Sequence, residues 1–432
     1  MLQITGLFLF LPIGIGLQSG EFAAVGSLVI TCFLAFGVGF VFNSFCERKE
    51  LDGGTSLWLL LLTFTVIPLV LMIPYVWNNV FNSGNLFELF TNAYFEVVSG
   101  FTTTGFSFVA HPEALPTSLF FYRSFVEFIG GVGFVYILVA FLHPKDNLNH
   151  FSQTFGIDLP CDNLKRVFAS VMLVYTLFVA IFAVIFYFAY SPNLLISSCA
   201  AIDVLTGGYQ PNVTAGIGLF QISILVLMLL GSLNFRFHYD FFRLKLQELF
   251  TPEIKLYLGA VAIFAIVISL LEWMNPFDAL FHVVTMSSSS GIEYLNIAAT
   301  SLPTKILFTL IGLVGGCTFS MAGGIRMQRI HDLISAIYKK SDKKTRQELK
   351  STIVSIVSLA AVLIILSLPF TTLGITFLDS VFEVGSALTT NGISMGATTI
   401  ALPPVYKWIL ILAMIIGRVE IISILKVIRG QK

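Results

Sequence analysis

Long stretches without a charged side chain decide what this 432-residue chain can become. Between Arg166 and Asp203 lie 36 residues with no Asp, Glu, Lys or Arg, between Asp52 and Glu88 lie 35, and between Glu21 and Glu47 lie 25. A helix crosses a bilayer with about 20 apolar residues. The two longer stretches therefore hold a span plus something that turns back. Composition agrees: 11% of residues are charged and 56% hydrophobic, with a mean hydropathy of +0.90, whereas soluble domains carry about 25% charged residues. This is a membrane chain, and spans replace soluble domains as the unit to count.

Twenty-four basic residues balance 24 acidic ones, which removes any case for a nucleic-acid partner from bulk electrostatics. Cys32, Cys46, Cys161, Cys199 and Cys317 stand singly, with no CxxC and no Cys/His cluster, so neither a disulfide framework nor a metal site is expected. An intramembrane enzyme would need a catalytic constellation at span depth. The sequence has no HExxH, no paired intramembrane Asp and no Ser/His arrangement, so no enzyme and no organic cofactor is expected. Residues 1–17 lack the basic start of a removed signal peptide and read as a short first span.

A span-length window predicts membrane helices at about 2–18, 22–45, 57–77, 118–142, 166–190, 214–236, 256–274, 303–335 (interrupted), 351–374 and 404–428. The connections alternate in charge. Twenty of the 24 basic residues fall on one side, leaving Arg123, Lys305, Lys407 and Arg418 elsewhere. That side is cytoplasmic by the positive-inside rule, and an even number of spans puts both termini there. The run Lys339, Lys340, Lys343, Lys344 and Arg346 reads as a solvated face near anionic lipid or a docking surface.

The opposite-side connections, 85–113, 193–213, 277–300 and 378–402, each hold about 12 apolar residues followed by a Gly/Ser/Thr-rich stretch. Such a segment is too short to span and too apolar for water, so it reads as a re-entrant half-helix. Set on a common glycine (Gly105, Gly208, Gly291, Gly392), the four match. At minus ten stand Phe95, Ser198, Phe281 and Phe382; at minus nine, Glu96, Cys199, His282 and Glu383; at minus thirteen, Asn92, Leu195, Asp278 and Asp379. The glycine is preceded by Thr102-Thr103-Thr104, Leu205-Thr206-Gly207, Ser288-Ser289-Ser290 and Thr389-Thr390-Asn391, and followed by Phe106, Tyr209, Ile292 and Ile393.

The expected fold is thus an all-α polytopic membrane protein of four M1-P-M2 repeats (helix, re-entrant pore helix, filter loop, helix) around a pseudo-fourfold pore, plus two N-terminal transmembrane helices. Its units are 1–52, 53–145, 160–245, 252–340 with an interruption in its last helix, and 350–432. Four half-helix C-termini, each carrying about half a negative charge, would meet on one axis and favour a cation. Glycine lets the carbonyls turn inward and replace the hydration shell of an ion.

These residues resemble the filters of the Trk/Ktr/HKT superfamily of potassium transporters: GFTTTGFS, LTGGYQ, SSSSGIE and LTTNGIS. RSFVEFIGGVGF at 123–134, GSLNFRFHY at 231–239, GGCTFSMAGGIRMQRI at 315–330 and GRVEI at 417–421 match as well, and the first two helices resemble the extra pair of the TrkH branch. The resemblance covers nearly the whole chain. It implies K+ uptake across the prokaryotic plasma (inner) membrane, a homodimer in the bilayer, and a cytosolic nucleotide-binding regulatory ring of the TrkA/KtrA type. Glycine in all four filter positions looks like the K+-selecting form. A symporter coupling K+ to Na+ or H+ is the alternative.

Further expectations concern single positions. Gly315, Gly316, Cys317, Thr318, Phe319, Ser320, Met321, Ala322, Gly323 and Gly324 carry four glycines in ten residues, each costing about 1 kcal/mol in a helix. The helix is expected to break there, and the resemblance makes the segment an intramembrane loop closing the pore below the filter. Arg418 is a cation inside a confident span, which marks a functional site. The resemblance turns it toward the pore, and a salt bridge to Glu96, Glu383 or Asp203 is the other reading. Asp203 and Glu293 depart from the family pattern. Each either adds negative charge near the pore or serves local hydrogen bonding. Glu96 and Glu383, nine residues or about 13 Å of helix behind the turn, are expected to anchor the half-helices to surrounding spans.

Overall fold

The computed structural model describes residues 2–45, 53–141, 164–245, 247, 249–338 and 343–419, and the regular structure among them is helical. In chain order the α-helices are α1 (Leu2–Phe8), α2 (Phe10–Gln18), α3 (Phe22–Phe45), α4 (Gly53–Leu71), α5 (Ile73–Trp77), α6 (Leu86–Phe101), α7 (Thr117–Phe141), α8 (Leu164–Ala189) and α9 (Leu194–Thr206). There follow α10 (Leu219–Ser232), α11 (Phe235–Phe242), α12 (Pro252–Glu272), α13 (Pro276–Ser288), α14 (Leu302–Val314), α15 (Met327–Tyr338), α16 (Lys343–Ser367), α17 (Phe377–Leu388) and α18 (Pro404–Val419). The boundaries at 46–52 and 142–163, the basic positions 339 and 340, and the chain beyond Val419 lie outside the described residues.

Among the described residues, Phe22–Phe45, Trp58–Trp77, Ala169–Ala189, Pro252–Glu272 and Thr352–Leu373 are helical stretches long and apolar enough to cross a membrane. Their outward rings, such as Phe33 at 73% exposure and Phe188 at 79%, suit a lipid environment. The span expected at 214–236 needs correction. Helix α10 stops at Ser232 and the chain turns by 105° into α11. Leu233 and Asn234 are extended, and the Asn234 side chain accepts the Phe237 N–H at 2.9 Å, capping the new helix. The interruption expected in the eighth span is present: α14 ends at Val314 and no helix resumes before Met327.

The four short helices α6, α9, α13 and α17 begin alike. The Asn85 side chain accepts from Phe87 N, Asn193 from Leu195 N, Asn275 from Phe277 N, and the Thr376 hydroxyl from Asp379 N. Such caps satisfy backbone donors that a helix start leaves open. Two apolar clusters surround them. One joins α1–α7 with α16–α18, and the other gathers residues from α8 to α15. The N-terminal helices are fixed to the rest by Glu21, whose carboxylate accepts the N–H groups of Thr117 and Ser118 at 2.6 and 2.9 Å at the start of α7.

Candidate functional site

The loops after the four short helices touch in a closed cycle. A methyl group at Gly105 would collide with the Gly208 carbonyl, at Gly207 with Ser289, at Gly291 with Asn391, and at Gly392 with Thr104. Each loop thus presses a glycine against its neighbour's backbone, which no side chain permits. Every expected filter residue lies in this cycle, buried or half-buried: Thr102 to Gly105, Leu205 to Gly208, Ser288 to Gly291 and Thr389 to Gly392. The helix C-termini deliver their partial negative charge to one ring of backbone.

Three loops share a backbone shape and one does not. Thr103 and Gly105, Ser289 and Gly291, and Thr390 and Gly392 have φ between 52° and 89°. In the second loop only Gly207 is left-handed, at 74°. The second loop therefore keeps the sequence register on Gly208 but departs from the other three in backbone shape. Helix α9 continues to Thr206, two residues before Gly208, whereas α6, α13 and α17 end three or four residues before their glycines, and Gly207 caps it as the loop's left-handed residue.

The support behind each loop explains the difference. Glu96, fully buried, accepts the Ser107 hydroxyl and the Phe108 N–H at 2.8 Å each, and pairs with Arg123 of α7 at 3.0 Å. Glu383 accepts the Ser394 hydroxyl at 2.5 Å, the Met395 N–H at 2.8 Å, the Thr398 N–H at 2.7 Å and the Thr398 hydroxyl. The expectation that both glutamates anchor their helices to surrounding spans holds for Glu96 through Arg123. Glu383 instead binds its own returning loop. In the third repeat the Thr285 hydroxyl accepts the Ile292 N–H at 2.8 Å and His282 accepts from Leu295.

The second repeat has Cys199 where the first and fourth have glutamate, and Pro211 where they offer the N–H of Phe108 and Met395. Its support comes from α7. Glu127 accepts the Tyr209 N–H at 2.8 Å, and its carboxylate stands where a Cβ on residue 208 would be, so only glycine fits. Tyr209 in turn donates its hydroxyl to the Glu96 carbonyl at 2.9 Å and lies under the Arg123 guanidinium, 3.9 Å from the ring centre.

Residues 315–324 run beneath the loops. The Gly323 N–H donates to the Ser289 hydroxyl at 3.0 Å, and a methyl group at Gly323 would strike the Thr389 carbonyl. The segment is tied to the end of α10 by Cys317 N–H to Ser232 O and Met321 N–H to Gly231 O, both 3.0 Å, and to Glu253 of α12 by the Thr318 N–H at 2.7 Å. Arg418, in the last turn of α18 and 3% exposed, donates to the Met321 carbonyl at 3.5 Å. Arg326, counted with the cytoplasmic charges from its sequence position, is 7% exposed and donates to the Ala322 carbonyl. The residue belongs to the loop, because the chain re-enters its helix only at Met327.

Asp203 is 6% exposed, and its neighbours are Ser124, Arg123 and Glu127 of α7. Glu127, Glu253 and Arg326 were not singled out from sequence. The signal for Glu127 was present, because an acid in a charge-poor span four residues after Arg123 needs a use. Lys407, fully buried, donates to Asn92 and the Ile400 carbonyl at 2.7 Å each. It joins α18 to α6 at the minus-thirteen position. Cys32, Cys199 and Cys317 are buried free thiols, and no group of three His, Cys, Asp or Glu able to hold a metal occurs among the described residues.

Comparison with known proteins places this geometry. The family model TrkH, "Cation transport protein", matches residues 266–429. The Trk system potassium uptake protein TrkH of Salmonella typhimurium is 24% identical, over 98% of this chain and 96% of that protein. An uncharacterised cation transporter of Methanocaldococcus jannaschii is 25% identical, over 98% and 92%. The crystal structure of the potassium transporter TrkH from Vibrio parahaemolyticus shares the fold, with a TM-score of 0.83 at 21% identity, over 98% of this chain and 95% of that one. In sequence and fold the chain is TrkH-like along nearly its whole length.

Proposed function

We propose that this TrkH-like chain is the membrane subunit of a potassium uptake system and that K+ passes through the ring of four loops. The single observation that carries the reading is the closed cycle in which Gly105, Gly207, Gly291 and Gly392 each abut a neighbour's carbonyl. Four helix ends and a ring of backbone carbonyls suit a partly dehydrated monovalent cation. In this reading the chain holds four M1-P-M2 units and two N-terminal helices, with the unit boundaries given above. The ion is held by the backbone and hydroxyls of Thr102–Gly105, Leu205–Gly208, Ser288–Gly291 and Thr389–Gly392.

The segment Gly315–Gly324 acts as the gate, since it passes directly below the third and fourth loops. Arg418 and Arg326 add positive charge beneath the filter, which limits ion residence there. The loops 106–116 and 207–218 face outward and the termini face the cytoplasm of a prokaryotic cell, following the asymmetry of Lys and Arg. A second copy of the chain and a cytosolic nucleotide-binding ring complete the system, as the TrkH likeness suggests.

Flux through the purified protein in liposomes tests this. K+ and Rb+ should pass, Na+ much less, and flux should reverse with the K+ gradient alone. A strict need for a Na+ or H+ gradient would favour the symporter. Removing residues 317–323 should raise the flux, and an unchanged flux would remove the gate.

A further inference from the structure

Behind the second loop stand two buried carboxyl groups with few donors. Glu127 is fully buried, and its short hydrogen bond among the described residues is the Tyr209 N–H at 2.8 Å. The Thr206 hydroxyl lies 3.5 Å from its Oε2 but is also directed at the Ile202 carbonyl, 2.8 Å away. Asp203 lies within side-chain hydrogen-bond reach of the Ser124 hydroxyl and of Glu127, while its Oδ1 has no hydrogen-bond partner among the described residues. A buried polar atom without a partner costs about 1–3 kcal/mol, more when charged. Something is expected to satisfy it.

Local charge points the same way. Glu96, Glu127 and Asp203 gather around one guanidinium, Arg123, which is committed to Glu96 and Ser107 and stacked on Tyr209. Buried carboxylates in excess of their cations are strongly disfavoured. A cavity of about 730 Å³ reaches the place, its wall running from the exposed Glu113, Asn193 and Asn212 to Asp203 and Ser124. Gln210 and Glu293 line it as well.

We infer that a monovalent alkali cation, entering by this cavity, binds between Asp203 and Glu127 at a site separate from the loop ring. Two carboxylates with the hydroxyls of Ser124 and Thr206 form a hard all-oxygen set that suits an alkali ion rather than a transition metal. Because Glu127 also holds the Tyr209 N–H, occupancy of this site steadies the second loop. The inference rests on the transport reading for its consequence, while the site itself is observable without transport.

The deciding measurement is anomalous scattering from crystals of the purified full chain soaked in Tl+, a K+ surrogate. Density is expected at the Asp203–Glu127 pair as well as in the ring. In Asp203→Asn the pair density should vanish and the ring density remain, and the external K+ concentration for half-maximal flux should rise about threefold, the size of a modest local electrostatic change. Ring density without pair density in the wild type overturns the inference and leaves the transport reading standing. Pair density without ring density does the reverse. An infrared band of a protonated carboxyl that both Asp203→Asn and Glu127→Gln abolish, with no Tl+ at the pair, assigns the place to a proton and also overturns it. The wild-type map decides the matter even if a variant misfolds.

Discussion

The first and second loops meet edge to edge, yet they are held from opposite directions. Loop one hangs on its own short helix: Glu96 grips Ser107 and Phe108, ten or more residues ahead in the chain. Loop two hangs on α7, a helix earlier in the chain than its own, through Glu127 and Tyr209, 82 residues apart. Loop four repeats the first solution with Glu383 and adds Thr398. Loop two cannot, because Pro211 has no N–H to give where Phe108 and Met395 give theirs. One missing donor thus accompanies a carboxylate on a different helix, a loop in which Gly207 alone is left-handed, and a cavity behind it. Equivalent sequence positions need not carry equivalent physical roles.

This contrast can be broken most severely at the ring itself. Gly392→Ala drives a methyl group into the Thr104 carbonyl, an overpacking expected to cost about 3 kcal/mol or more. Rb+ flux in liposomes should fall about a hundredfold, and wild-type flux in this variant would deny that the loops close a ring.

Next in size is Arg123→Met. It removes the guanidinium that pairs with Glu96 and covers Tyr209, so it strikes both loops at once. Removing one partner of a buried pair costs about 3–5 kcal/mol, and thermal unfolding in detergent should show it. Arg123→Lys should recover less than half, because an ammonium lacks the planar fork that stacks and pairs together.

Glu383→Gln sharpens the comparison between loops one and four. The amide keeps an acceptor for Met395 but turns a donor toward donors at Ser394 and Thr398, costing about 1–3 kcal/mol. Selectivity for Rb+ over Na+ should drop with it. The smallest effect is expected at Cys199. Cys199→Ser should change stability by about 0.5 kcal/mol or less, and Cys199→Glu should fail to rescue Glu127→Gln, since Pro211 leaves the new carboxylate without its N–H. A rescue would show that position minus nine alone specifies loop support.

Much of the site was legible because its signals are short-range. The charge-free tracts, the hydroxyl-Gly segments and the break at 315–324 are each read within a window of one span, and the helix does stop between Val314 and Met327. The second loop's backbone shape was not legible: LTGGYQ offers two adjacent glycines, and the structure uses them differently, Gly207 for a left-handed turn at the end of α9 and Gly208 for the space taken by the Glu127 carboxylate. The burial of Arg326 was not legible, because counting charges along the chain does not show a loop folding back beneath the ring of four loops.

Sequence alone therefore determined the membrane class, the fourfold repeat of apolar segment and glycine turn, and the four groups of residues that meet. These follow from hydropathy and backbone stereochemistry, which act over a few residues. Tertiary structure decided which buried charge answers which: Arg123 to Glu96, Lys407 to Asn92, Glu127 to Tyr209, Glu253 to Thr318. Inside a membrane fold each buried polar group must find a partner within hydrogen-bond reach. Helix packing fixes that partner, across separations as long as the 315 residues between Asn92 and Lys407.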